Sequence, residues 1–203
     1  MKTSSLEKFT SLTGLISVVL LVGGSLIFSV YDYLPSADKL SEIFNRDPFT
    51  VQISGYILTL SAFFMIWFVG GFYKVLRKQE GESPLFSHIA FASGVGSGIA
   101  LLIGYSAIIT VGARAAASGG ISPGEAVTLY DFYSHIIGQM FPITFALFMG
   151  ASAVVSLRSG LFPAWLGWVS LVIALGLVSP IGYMVIILAL LWLLIISISI
   201  KLS

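Results

Sequence analysis

The stretch PAWLGWVSLVIALGLVSPIGYMVIILALLWLLIISISI, from Pro163 to Ile200, decides the class of fold. It contains no Asp, Glu, Lys, Arg or His. As one helix it would run about 57 Å at about 1.5 Å per residue. A hydrocarbon core is only about 30 Å thick, so the run is too long for one ordinary span. Ser179-Pro180-Ile181-Gly182 is the natural break, because proline and glycine together interrupt a helix. The reading is a tight hairpin of two short helices, Pro163–Ser179 and Gly182–Ile200. Five spans, the last one long and tilted, is the alternative.

The rest of the chain has the same character. Its 203 residues are 57% hydrophobic and 9% charged, whereas soluble domains carry about 25% charged residues. So few charges cannot cover a water-facing surface. Residues 1–203 therefore read as one transmembrane domain, an all-α polytopic helix bundle in a cell membrane, with the lipid bilayer as its first partner. A net charge of +1 without a block of like charges gives no case for nucleic acid. The absence of cysteine removes disulfides, thiolate metal sites and cysteine nucleophiles together. The apolar run Leu12–Tyr31 exceeds a signal-peptide core and lacks a small-x-small cleavage site, so it reads as a retained span.

Six transmembrane helices result: Phe9–Tyr31, Pro48–Tyr73, Pro84–Ala113, Pro123–Leu157, Pro163–Ser179 and Gly182–Ile200. Asp47-Pro48, Ser83-Pro84 and Ser122-Pro123 each set a capping side chain before a proline suited to the first helical position. Ser122 with Glu125 makes a capping box. With six spans, seven of the ten Lys and Arg residues fall on one side. These are Lys2, Lys8, Lys74, Arg77, Lys78, Arg158 and Lys201; Lys39, Arg46 and Arg114 fall on the other. That bias places both termini in the cytoplasm. In the first outer loop, Leu40, Ile43 and Phe44 share a helical face opposite Asp38, Lys39 and Glu42. Ser36 is placed to cap this short amphipathic helix, read as a connector at the outer interface.

The third span carries Gly94, Gly96, Gly98, Ala100 and Gly104, small residues that let a neighbouring helix approach closely. The glycines lack the strand–turn–helix setting of a dinucleotide site. They read as a packing face, toward this chain's own helices, a second copy or another membrane protein.

Only the fourth segment brings ionisable groups into an apolar span. Asp131, His135 and Gln139 recur every fourth residue and form one polar stripe on a helix. Pro142 cannot donate to the carbonyl of Gly138 and is expected to kink the helix beside Gln139. Counting back about 20 residues from Leu157 sets Gln139 just inside the outer boundary, His135 at the interface and Asp131 among the headgroups. With Arg114 of the third span, they define a candidate ligand-binding recess, facing outward between the third, fourth and sixth helices. The plainer expectation is an Asp131–Arg114 ion pair with His135 as an anchor. His88 and His135 fall on opposite sides, no zinc-type cluster occurs and no cofactor is implied. Gly-x-Ser-x-Gly is absent, and serines in apolar helices ordinarily bond to their own backbone.

The segment Ser159-Gly160-Leu161-Phe162-Pro163-Ala164-Trp165-Leu166-Gly167-Trp168 resembles a recurrent feature of small six-helix bacterial integral membrane proteins, a family of uncharacterised function. There a short basic loop leads into Leu-x-Pro-x-Trp-Leu-Gly-Trp and a final helix pair. Leu129-Tyr130-Asp131 and Trp192 are similar to that pattern as well. Ala164 stands where the family commonly has an arginine, so no basic role for the loop is carried over. The resemblance implies a bacterial membrane protein and no inherited catalytic residues.

The expected function is therefore a non-enzymatic structural, accessory or regulatory membrane subunit. The alternative is a small transporter or ligand-binding protein using the outer recess. Reporter fusions at Gly81 and Gly119 test the charge bias: cytoplasmic activity is expected at Gly81 and external activity at Gly119. Both on one side would overturn the six-span arrangement.

Overall fold

The computed structural model describes residues 5–28 and 35–202. In chain order the helices are α1 (Ser5–Ile27), α2 (Ala37–Arg46), α3 (Pro48–Glu80), α4 (Leu85–Ala117), α5 (Pro123–His135), a π-helical turn (Ile136–Met140), α6 (Phe141–Ser159), α7 (Ala164–Leu177) and α8 (Gly182–Leu202). The segments expected as spans two to six correspond to α3, α4, α5–α6, α7 and α8. Residues 29–31 of the expected first span, and Lys2, lie outside the described residues.

The helix starts follow their capping residues, with one exception. Ser36 accepts from the Lys39 amide at 3.3 Å, and Asp47 accepts from the Thr50 amide at 3.1 Å and its hydroxyl at 2.6 Å. The Thr50 hydroxyl, then its amide, hold the Asp47 carboxyl below the usual carboxylate range. This cap is therefore complete above the ordinary carboxylate pKa and fades as pH falls through the lowered folded value. Ser122 and Glu125 form the expected capping box. The exception is α4, which begins at Leu85 with no cap from Ser83. Glu80, at the end of α3, reaches across the turn instead and accepts from the amides of Phe86 at 2.9 Å and Ser87 at 2.7 Å. A charged acceptor bonding two orphan amides outcompetes a serine constrained by the following proline.

Neighbouring helices run antiparallel. Gly71 of α3 lies beside Thr10 of α1, and Gly24 beside Leu58. Across α3 and α4, Val69 meets Gly94 and Gln52 meets Gly112. Gly94 also faces Phe148 of α6, while Gly104 faces Ile137 in the π turn. The Trp192 indole of α8 donates to Ser170 Oγ of α7 at 2.6 Å. Ser197 of α8 then returns beside Gly14 of α1 and closes the ring. The start of α1 and the end of α8 share one end of the bundle with the α3–α4 turn. The opposite end holds α2, α5 and the α4–α5 turn.

Among the described residues, five helices are long and apolar enough to cross a membrane, with α5–α6 counted as one. A further apolar helix, α7, is shorter, about 21 Å at about 1.5 Å per residue. The chain breaks between Leu177 and Gly182, and the Ser170–Trp192 bond folds α8 back on α7. One continuous tilted helix over Pro163–Ile200 is excluded. Gly182 is required at the turn, because a Cβ there would overlap the Leu177 carbonyl oxygen.

Interlocked rings fill the middle. Phe72 stacks on Phe68 at 5.4 Å and meets Phe148 edge-on at 5.9 Å, while Trp192 meets Phe145 and Phe148 edge-on at 6.0 and 5.8 Å. Buried Ser54, Ser61, Ser152, Ser170 and Ser197 each donate to a carbonyl of their own helix, as expected in an apolar interior. The α4 glycines are occupied within the chain, Gly94 and Gly98 by α3 and Gly104 by the π turn. Of the packing partners open to these positions, this chain's own helices supply the close approach at Gly94, Gly98 and Gly104.

Apart from the α7–α8 turn, the closest approach of one helix backbone to another at a glycine is between α3 and α4. A Cβ on Gly112 would stand 2.7 Å from the Gln52 nitrogen and 2.8 Å from the Pro48 oxygen, both backbone atoms. Gly150 on α6 has open space. Gly112→Ala is therefore expected to cost about 1–3 kcal/mol by overpacking. Gly150→Ala should be neutral or stabilise by up to about 1 kcal/mol through helix propensity. Thermal unfolding in mild detergent checks the pair, and equal shifts would contradict the backbone contact.

Candidate functional site at the α4–α5 end

The outer polar groups sit on a cap built around a second apolar core. Leu40 and Phe44 of α2 are fully buried, packed with Val51, Ile108, Val111, Ile121 and Ala126. The amphipathic face expected in the first loop is therefore real, but it faces protein instead of the membrane interface. Gly119 and Gly120 have φ of 71° and 142°, a conformation that side-chain-bearing residues rarely adopt. The turn they make brings Ile121 to Asn45, whose side chain accepts from the Ile121 amide at 2.7 Å and donates to its carbonyl at 3.1 Å. One amide thus pairs both backbone groups of a residue far along the chain.

From Ser122 the helix runs inward to Pro142. The expected kink takes a different form, a π-helical turn over Ile136–Met140 in which the Phe141 amide donates to the Ile136 carbonyl. Proline removes one donor, and its ring conflicts with the carbonyl four residues back. An inserted wide turn lets the backbone pass that point while staying hydrogen-bonded.

Asp131, His135 and Gln139 are all exposed. His135 Nδ1 lies 3.0 Å from the backbone oxygen of Asp131, so the imidazole is turned onto its own helix. The expected Asp131–Arg114 ion pair is not formed. Arg114 pairs with Glu125, which is one and a half turns nearer the start of α5 and already held there by Ser122. Asp131 is about 9 Å further along the axis. Both partners of the Arg114 pair are solvent-accessible, so it contributes little to stability.

Arg114 and Glu125 sit in an open groove of about 520 Å³, with Thr110, Ser122, Thr128 and Leu129 around them. Asp131, His135 and Gln139 do not line it. The expected recess between the third, fourth and sixth spans is not formed either, because α8 packs against α1 and α7 and only touches α6. The structure thus divides the candidate set: Arg114 belongs to the groove and the other three to an exposed stripe on the same cap.

The Thr110 and Thr128 hydroxyls each donate to a carbonyl of their own helix. The groove can hydrogen-bond and ion-pair with a polar group, and within it the Ser122 hydroxyl donates to the Glu125 carboxylate at 2.9 Å. Among the described residues no three His, Asp or Glu side chains converge on a common point. His88 lies at the other end of the bundle, with Nε2 3.1 Å from the Tyr73 hydroxyl.

Sequence reasoning missed Asn45 and the Tyr105–Tyr133 contact at 6.2 Å, which joins the cap to the main core. Neither carries a local signal, since both depend on partners distant in sequence. The architecture defines a multi-pass helical membrane protein. No protein-family model matches the chain, and no curated protein or solved structure matches it.

Asn45→Ala strips the Ile121 amide and carbonyl of their partner and should cost about 1–3 kcal/mol. Arg114→Ala should cost roughly 0–1 kcal/mol. Thermal unfolding, with hydrogen exchange at Ile121, checks the order; an Arg114 effect exceeding that of Asn45 would contradict it.

Proposed function

We propose that the chain is a non-enzymatic membrane subunit of six spans with both termini in the cytoplasm, acting as a structural or accessory component. The observation that carries this reading is the aromatic plug. Phe68, Phe72, Phe145 and Phe148 are all but fully buried at the centre of the ring. The small internal void beside α6, α7 and α8 has a volume of about 10 Å³, room for one water. A transporter ordinarily keeps polar or broken-helix elements near the midplane, where its substrate waits. Here the broken turn, Ile136–Met140, sits beside Gly104 near the middle of α4, but what it turns toward the bundle is the apolar Ile136 and Ile137.

The distribution of charge supports the orientation. Lys74, Arg77, Lys78 and Arg158 gather at the end shared by the start of α1 and the end of α8, as the positive-inside rule requires of a cytoplasmic face. Trp165 and Trp168, both exposed at the start of α7, fit an aromatic belt at the same level. The cap is the surface that a partner would meet, because its rigid α2–α5 core presents Asp131, His135 and Gln139 outward.

The second reading, an outward-facing ligand site, is favoured by the Arg114–Glu125 groove. Purification in mild detergent separates the two. A subunit should carry a stoichiometric partner. Asp131→Ala with His135→Ala should reduce that partner's retention while leaving stability within about 0.5 kcal/mol. Substrate-dependent flux in liposomes by the chain alone would overturn the accessory reading.

A further inference from the structure

The strongest unassigned feature lies at the end opposite the cap. A groove of about 400 Å³ opens over the outer face of α3, between α1 and α4. Phe9, Trp67, Gly70, Lys74, Phe91 and Val95 line it. Gly70 forms its floor, since a Cβ there would meet nothing within 4 Å. One wall is the Phe9–Trp67 pair, with ring centroids 5.3 Å apart. The other is Phe91, tilted against Tyr73 with ring centroids 5.0 Å apart. Tyr73 is held in turn by its hydroxyl bond to His88. The channel is apolar along its length and cationic at the end where Lys74 stands.

That positive charge is unmatched. Among the described residues Lys8, Lys74, Arg77 and Lys78 have no ion-pair partner, whereas Arg46 pairs with Glu42 and Arg114 with Glu125. The nearby carboxylates do not compensate. Glu80 is engaged with the first amides of α4, and neither Glu80 nor Glu82 lines the groove. A second copy of the chain is a poor occupant, because a two-fold contact here would bring this cationic end against its own image. The matching occupant is an amphiphile with a long apolar tail and a negative head.

We infer that this groove binds an anionic glycerophospholipid, with an acyl chain over Gly70 between the aromatic walls and the headgroup phosphate at Lys74. Lysine holds a phosphate as a compact point charge, and basic residues beside apolar helix surface select anionic over zwitterionic lipid. The inference concerns the end away from the cap and does not depend on whether the cap meets a partner or a ligand.

The test uses the purified full-length protein in mild detergent, titrated with phosphatidylglycerol, phosphatidylcholine or inorganic phosphate and read by native mass spectrometry. Gly70→Leu fills the floor where there is space for a side chain, and Lys74→Gln removes the charge. Gly23→Leu is the control, the same change at an open glycine on α1 away from the groove. The wild type and Gly23→Leu should prefer phosphatidylglycerol over phosphatidylcholine by about fivefold or more, the size expected of a basic residue near an anionic headgroup. Gly70→Leu and Lys74→Gln should each lose most of that preference while unfolding at the wild-type temperature. Equal binding of the two lipids would overturn the inference. So would full phosphatidylglycerol binding by Gly70→Leu, or displacement of the lipid by millimolar phosphate, which would indicate a bare anion site. If Gly70→Leu does not fold, Lys74→Gln decides alone, and unchanged lipid preference in it overturns the inference.

Discussion

The contact on which the rest of the architecture depends is the backbone-to-backbone approach of α3 and α4 at Gly55 and Gly112. A Cβ on Gly55 would stand 2.9 Å from the Ile109 nitrogen, and one on Gly112 would be as close to the backbone of Gln52 and Pro48. Helices in lipid gain little from apolar burial against one another, so they associate through close van der Waals packing. Paired glycines supply it here. The consequence travels up the chain, because Asp47 is both the last cap of α2 and the first cap of α3. Holding Pro48 against α4 therefore also places α2 beside the last turns of α4. Leu40 and Phe44 then lie under α5, and Asn45 comes within reach of Ile121.

The same economy of space governs the interior. Once the glycines of α4 are covered by α3 and the π turn, the remaining volume is taken by phenylalanine rings and Trp192. Most hydroxyls in the apolar helices turn back to their own carbonyls, although those of Thr59 and Ser156 are buried without a partner and Ser97 also donates to the Thr144 hydroxyl at 3.0 Å. Ser17 is an exception: it donates to the Ser61 carbonyl at 2.9 Å and ties α1 to α3. The Trp192 indole also bonds between helices, and its bond to Ser170 fixes the register of the α7–α8 hairpin.

What was legible from residue order was mostly local. Proline after a capping side chain predicted the starts of α3 and α5, and Ser179-Pro180-Ile181-Gly182 predicted the final hairpin. Each of these depends on groups a few residues apart. The α4 start failed because its acceptor, Glu80, arrives from the preceding helix. Arg114 was assigned to Asp131 because spacing reveals which acids are near an arginine along a helix surface but not which has been turned toward it. Ser122 orients Glu125 and so decides the pairing. The response to Pro142 was placed correctly beside Gln139, yet its form depends on Gly104 leaving room for Ile137. The Asn45–Ile121 clamp has no local trace at all.

The two ends of the bundle satisfy their polar groups in opposite ways. At the cap, Arg46 and Arg114 find carboxylates, and Asn45 completes the backbone of the turn. At the other end, Glu80 is diverted to the α4 amides and Arg158 lies 4.8 Å over the Phe86 ring. That diversion has an electrostatic consequence. Glu80 keeps its negative charge at this end, but its oxygens are occupied by the α4 amides, so it makes no ion pair with the lysines of α1 and α3, which are left to the surroundings. In a bilayer those surroundings are headgroups, and the leaflet whose phosphates carry net negative charge is favoured. The misassigned cap of α4 and the unpaired lysines beside the Gly70 groove are thus linked. The carboxylate that orders the α3–α4 turn is thereby kept from direct contact with those lysines.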